Sequence, residues 1–226
     1  MRTDQRRPAR LRVPCNLKSA LRTGTFTTQS LSYAITTWCS SWKSVARVYA
    51  KEFRDIPATL SQNTELRDAI LRLIDEQPVP GKVTGGGDRL LRFKEILKRL
   101  VRGESALPEA YYRTEVDLPR ETSFYAANNR VFPSGWAERL VRTQLSRFYN
   151  QAVLEQLMSE GQTQCFVPHS SEEDRGSKCS VNLAGGAHDI RVLYNRLIES
   201  YARGNWSGDL KIPEHPHCTH VIAPVE

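Results

Sequence analysis

The feature that most constrains this chain is apolar residues recurring at helical spacing in segment after segment, with no alternating run long enough to make a strand. Leu66, Ile70, Leu73 and Ile74 fall on one helical face, as do Leu90, Phe93, Leu97 and Leu100. Leu140, Val141, Leu145, Phe148, Ala152 and Met158 lie near one face of a longer segment, and Ile190, Leu193, Leu197 and Tyr201 repeat the pattern. The expected fold class is therefore all-α.

Local signals place the ends of these helices. Residues 41–54 carry an apolar stripe, Trp42, Val45, Tyr49 and Phe53, beside a basic stripe, Lys43, Arg47, Lys51 and Arg54, and Pro57 is expected to end that helix. A second helix is expected over 64–77, capped by Asn63 or Thr64 and stopped by Pro78 and Pro80. A third is expected from the cap Asp88 to Arg102. Short connections suggest an antiparallel three-helix bundle over about 41–102. After it come a short helix started by Pro108, an extended segment at 118–124, a helix over 134–159 capped by Ser134, and a last helix from the cap Asp189 to Arg203. Residues 165–186 and the tail from Gly204 read as loops, and the Gly81–Gly87 stretch as a flexible linker.

Composition divides the chain into three regions. The 226 residues carry 32 Lys+Arg against 25 Asp+Glu. Residues 1–38 hold +6 of that balance, 39–102 hold +5, and 103–226 hold −4. The first region is rich in arginine and hydroxyls and has one acid, Asp4, which is the composition of a mitochondrial presequence. The expected division is a presequence or basic tail at 1–38, a helical bundle plus extended segment at 39–133, and a helical C-terminal region with an irregular tail at 134–226. The uncharged run at 23–42 is dominated by Thr, Ser, Gln and Gly, so no transmembrane segment is expected. Five scattered cysteines, Cys15, Cys39, Cys165, Cys179 and Cys218, do not form a disulfide framework and fit a reducing compartment.

Motifs for chemistry are sparse. The Gly81–Gly87 loop lacks the spacing of a phosphate-binding loop, because Glu76 and Val83 stand where Gly and Ser/Thr are needed. Cys165 and His169 form a local pair for nucleophilic chemistry, but such pairs are usually inert, and no enzyme activity is expected. Cys165, His169 and Cys179 share one loop, while His215, His217, Cys218 and His220 crowd the tail. Zinc takes both donor types. Yet there is no C-x-x-C pair, the spacings match no common zinc pattern, and the adjacent His217 and Cys218 cannot easily ligate one ion together. Neither a metal nor any other cofactor is expected on those grounds.

Two short segments resemble known mitochondrial families. Val48-Tyr49-Ala50-Lys51-Glu52-Phe53-Arg54 resembles the signature of LYR proteins, with Tyr49, Phe53 and Arg54 matching and Ala50 in place of the motif Arg. That family consists of small helical bundles whose basic face binds the mitochondrial acyl carrier protein. Tyr111-Tyr112-Arg113 followed by Pro119-Arg120-Glu121-Thr122-Ser123-Phe124 resembles the Tyr-Tyr-Lys and Pro-Arg-Asp-Thr-Ser-Phe stretch of the complex III assembly factor 2 family, which chaperones new cytochrome b. The resemblance covers roughly residues 40–130. It implies a non-enzymatic accessory or assembly factor of a respiratory complex, in the matrix or on the matrix face of the inner membrane. Its partners would be the cytochrome b chaperone or the nascent subunit. The implied contact residues are Arg47, Tyr49, Lys51, Phe53, Arg54, Pro119, Arg120, Thr122, Ser123 and Phe124. The alternative is a structural subunit of the mitochondrial ribosome, with RNA as a further partner, or of a respiratory complex or supercomplex.

Overall fold

The computed structural model describes residues 47–206 and 208–225. The presequence, Lys43, Cys15, Cys39 and the first part of the expected 41–54 helix lie outside the described residues.

The protein is mostly helical with a small sheet. A single 3-10 turn, Phe53–Asp55, leads into α1 (Ile56–Gln62), α2 (Thr64–Glu76), α3 (Arg89–Val101), α4 (Leu107–Asp117), a second 3-10 turn (Arg120–Thr122) and α5 (Trp136–Ser159). Then follow β1 (Gln164–Val167), α6 (Lys178–Asn182), β2 (Gly186–Asp189), α7 (Ile190–Tyr201) and β3 (Ala223–Pro224).

The helix ends follow from side chains. Asn63 Oδ1 accepts from Leu66 N–H at 3.1 Å and caps α2, while its Nδ2 donates to Val48 O. Asp189 Oδ1 accepts from Val192 N–H at 3.0 Å and caps α7. The cap of α5 is Gly135 rather than Ser134, with φ +68°, a backbone state that glycine enters without strain.

Two expectations are corrected. No residue from 47 to 52 is helical, so the expected 41–54 helix is not found over these residues. Pro57 stands in the first turn of α1 instead of ending a helix, because proline lacks only an N–H that the first turn leaves unpaired anyway. The fold is also not purely helical. β1 pairs antiparallel with both β2 and β3 in the order β2-β1-β3. Each strand has at most four residues, too short to show a period of two in the sequence.

α5 is the axis of the molecule. It spans 24 residues and packs against α2, α4 and α7. Every residue from 144 to 154 is buried, so neighbours surround it on all faces. Its buried polar side chains reach distant backbone. Tyr149 Oη accepts from Ala50 N–H at 2.8 Å, and Asn150 Oδ1 accepts from Ile222 N–H at 2.7 Å. Arg147 Nη1 donates to Pro78 O at 2.7 Å. One hydrophobic cluster runs from Ala50 to Ile222, so residues 133 and 134 do not mark a break in the core. Among the described residues no helix is long and apolar enough to cross a membrane.

Replacing Asn150 by Ala would leave the buried Ile222 N–H without its acceptor. The expected loss is about 1–3 kcal/mol in urea unfolding, whereas exposed Gln162→Ala should stay within about 0.5 kcal/mol.

Candidate functional site

The contact residues expected near the start of the chain are mostly occupied internally. Phe53 is buried, with the Arg142 guanidinium 4.4 Å from its ring centroid. Tyr49 is half-buried. Arg47 pairs with Glu65 and Glu160, and Arg54 pairs with Glu52 and Glu172. Lys51 is exposed. These side chains do not form a basic stripe on a helix.

Residues 118–124 are held differently. Arg89, at the start of α3, is 5% exposed. Its guanidinium donates to Val83 O, Leu118 O, Pro119 O and Thr122 Oγ1 at 2.8–3.1 Å. Arg120 donates to Ala126 O and Asn129 Oδ1, and both arginines lie over the Phe132 ring. Ser123 is buried and its Oγ accepts from Tyr125 N–H. Pro119, Arg120, Thr122 and Ser123 therefore build the segment, and Phe124 is what it presents, at 87% exposed. The glycine loop is its seat. A Cβ on Gly86, at φ +92°, would stand 2.7 Å from the Phe124 ring. That loop is tied down by Thr84 Oγ1 donating to Val79 O and Gly81 O and by Arg89, so it is not a free linker. A shallow concavity of about 540 Å³ opens beside Phe124, lined also by Tyr125, Asn128 and Arg130.

A second constellation joins the 168–185 loop to the tail. The sheet explains why they meet. The loop leaves β1 after Val167 and re-enters β2 at Gly186, which pairs with Val167, while the tail enters β3 beside Phe166. Both segments thus emerge at one end of the sheet. Ser177 caps α6 and sets Cys179 in place, its Oγ 3.3 Å from the Cys179 sulfur. In the tail, Cys218 N–H donates to His215 O at 3.0 Å, a tight turn that puts those two side chains together and leaves His217 exposed. The donor atoms of Cys179, His215 and Cys218 all lie within 4.8 Å of one another. His220 Nδ1 adds a contact of 3.7 Å to Cys218 Sγ. Glu173 then engages two imidazoles, accepting from His220 Nε2 and His169 Nδ1 at 2.8 Å each.

The electrostatics follow from this crowding. Contact with Cys218, then with His215 and His220, holds the Cys179 thiol far below its usual range despite burial, while the same contact and burial push Cys218 up. His215 is raised, chiefly by Cys179. For His220, burial works downward but Cys179 and Glu173 outweigh it and raise it. Burial opposes the charge on Glu173, yet His220 and His169 bring it down to about 2.

Cys165 and His169 are not brought together as a catalytic pair. The Cys165 thiol donates to His188 O at 3.5 Å, is fully buried, and is pushed up to about 12 by that burial. The sequence argues against a metal because it has no C-x-x-C pair and no common zinc spacing, and 36 residues separate Cys179 from His215. The usable signal was the compact H-x-x-C-x-H run of residues 215–220.

No protein-family model, no curated protein and no solved structure matches the chain.

The loop also grips the start of the described chain. Glu52 is 7% exposed and accepts from Ser170 Oγ, Ser171 Oγ and Ser171 N–H at 2.7–2.8 Å. Burial alone would raise its pKa, but the serine donors and Arg54 lower it. A carboxylate with a depressed folded pKa adds stability above its unfolded value, and this is lost as pH falls through the folded one. Glu52→Gln should therefore be the less stable protein at pH 7, and its deficit should shrink on acidification below roughly pH 4.3. Thermal melts of both proteins from pH 7 to pH 3 check this.

Proposed function

We propose that the chain is a non-enzymatic binding protein, an accessory or assembly factor of a mitochondrial respiratory complex that docks through the surface around Phe124. The observation that carries this reading is the combination at residues 118–124. A buried arginine holds the segment through hydrogen bonds to Leu118 O, Pro119 O and Thr122 Oγ1, and the side chain so positioned is a phenylalanine left 87% exposed. Rigidly held aromatic side chains beside a concavity suit a protein interface, where such anchors dominate the binding energy.

The mitochondrial address rests on the arginine-rich, acid-poor composition of residues 1–38. Complex III, with cytochrome b or its chaperone as the partner, rests on the resemblance of residues 111–113 and 119–124 to the complex III assembly factor 2 family. The LYR resemblance adds less, since Phe53 is buried and Arg47 and Arg54 face acids of the same chain. A ribosomal, RNA-bound role is also less favoured. The α3 cations Arg92, Lys98, Arg99 and Arg102 pair with Asp88, Asp75, Glu95, Glu104 and Glu109 rather than forming an open basic surface.

The test is affinity recovery of the tagged full chain from mitochondria, wild type against Phe124→Ala. Loss of an anchor of this kind costs about 2 kcal/mol or more, roughly thirtyfold in affinity. Cytochrome b or its chaperone should be recovered with the wild type and lost with the variant, while the melting behaviour stays unchanged. Equal recovery with both proteins, or recovery of ribosomal proteins instead, would contradict the reading.

A further inference from the structure

We infer that Cys179, His215, Cys218 and His220 are the four ligands of a structural zinc ion that fastens the 168–185 loop to the C-terminal tail. The first argument is metric. A tetrahedral zinc with thiolates at about 2.3 Å and imidazole nitrogens at about 2.05 Å sets its S···S edge near ~3.8 Å and its S···N edges near ~3.6 Å. The Cys179–Cys218 sulfur separation is 3.8 Å. The Cys179 Sγ–His215 Nε2 and Cys218 Sγ–His220 Nδ1 separations are 3.5 and 3.7 Å. Three of the tetrahedron's six edges thus have the dimensions of a filled site, with Cys179, His215 and Cys218 mutually close and His220 joined to them through Cys218.

The second argument is the protonation of His220. An ionised Glu173 can only accept, so His220 Nε2 must carry the proton it donates at 2.8 Å. In the neutral ring Nδ1 is then a bare lone pair, and it faces Cys218. A carboxylate that fixes the tautomer and direction of a ligating imidazole is the usual outer partner of a zinc histidine. Glu173 is itself held by His169, whose ring lies against Gly185.

The third argument separates a structural ion from a catalytic one. Cys179 is 0% exposed, Cys218 2% and His220 1%, with His215 part-exposed, and two sulfurs with two nitrogens would close the coordination shell. Nothing is left open for a substrate or an activated water. A tetrahedral set of two thiolates and two imidazoles selects zinc among the common divalent ions. The exposed neighbour His217 is excluded, which removes the steric objection to adjacent ligands.

The site acts on the rest of the chain through its two loops. Thr219, between two ligands, accepts at its carbonyl from Phe53 N–H at 2.8 Å, and Ser170 and Ser171 hold Glu52. Zinc therefore fixes the surfaces on which residues 52–54 rest. Binding free energy at such a site is folding free energy for the loops that make it.

The test uses the full chain, purified under reducing conditions. Elemental analysis should return one zinc per chain, and cobalt(II) exchanged into the site should give a tetrahedral visible spectrum with thiolate charge-transfer absorption. Cys179→Ser and Cys218→Ser should lose the ion. His217→Ala and Cys165→Ala should keep it. Glu173→Gln, which leaves all four ligands in place, should weaken zinc binding by about 10–100-fold in a chelator competition. Should the cysteine variants fail to fold, the wild-type cobalt spectrum and the Glu173→Gln affinity decide alone. Absence of both stoichiometric zinc and a tetrahedral cobalt spectrum would overturn the assignment, as would a Cys179–Cys218 disulfide in the reduced-purified protein or loss of the ion in His217→Ala.

Discussion

The structure depends on one helix being buried on every side. A helix at the surface needs a single apolar stripe, but residues 144–154 of α5 have none to spare for solvent. Half of them are polar, and burying a polar group without a partner costs of order 1–3 kcal/mol. The fold offsets much of this by giving several of those side chains backbone groups to bind, although Arg147 Nε and Nη2 and Gln151 Oε1 have no hydrogen-bond partner. Tyr149 takes the Ala50 amide, Asn150 takes the Ile222 amide, and Arg147 reaches the Pro78 carbonyl. Segments far apart in the chain are thereby indexed against one helix. The C-terminal tail is brought to the position from which it reaches the 168–185 loop.

How much of this was legible depended on whether a signal was local. α2 and α7 could be read because their caps, Asn63 and Asp189, and their apolar faces lie within one short window. Pro57 was misread because proline marks a helix start as readily as a stop, and only the residues after it decide. The apolar stripe of Tyr49 and Phe53 is real as a pattern, but Tyr49 is half-buried on non-helical backbone and Phe53 is buried from a 3-10 turn, so no one helix carries both. The strands were invisible because four residues give too few alternations. The donors of the metal-type constellation can be named from the sequence, but their spacing there argues against a site. Its parts are individually unremarkable, and only the antiparallel pairing of β1 with both β2 and β3 brings them to one end of the sheet.

The charge pattern also changes meaning once side chains are placed. Beyond residue 46 many of the arginines are structural. Arg89 organises residues 118–122, Arg120 ties the turn that follows, and Arg147 is buried with its guanidinium over the Phe148 ring, its pKa brought down to about 10 by burial. In the sequence such residues enter only as net charge or, for Arg120, as an implied contact, whereas in the fold they are the internal fasteners of a loop-rich surface. What they leave outside is the Phe124 ring and its concavity, at the second of the two segments that the sequence resemblances single out.

Residue-resolved native-state hydrogen exchange tests the central role of α5 most directly. If the helix indexes both ends of the described chain, the amides of Ala50 and Ile222 will open with the same free energy as those in the middle of α5. If either amide exchanges freely while residues 144–154 remain protected, the tail and the first segment are not fastened to that helix, and the account fails.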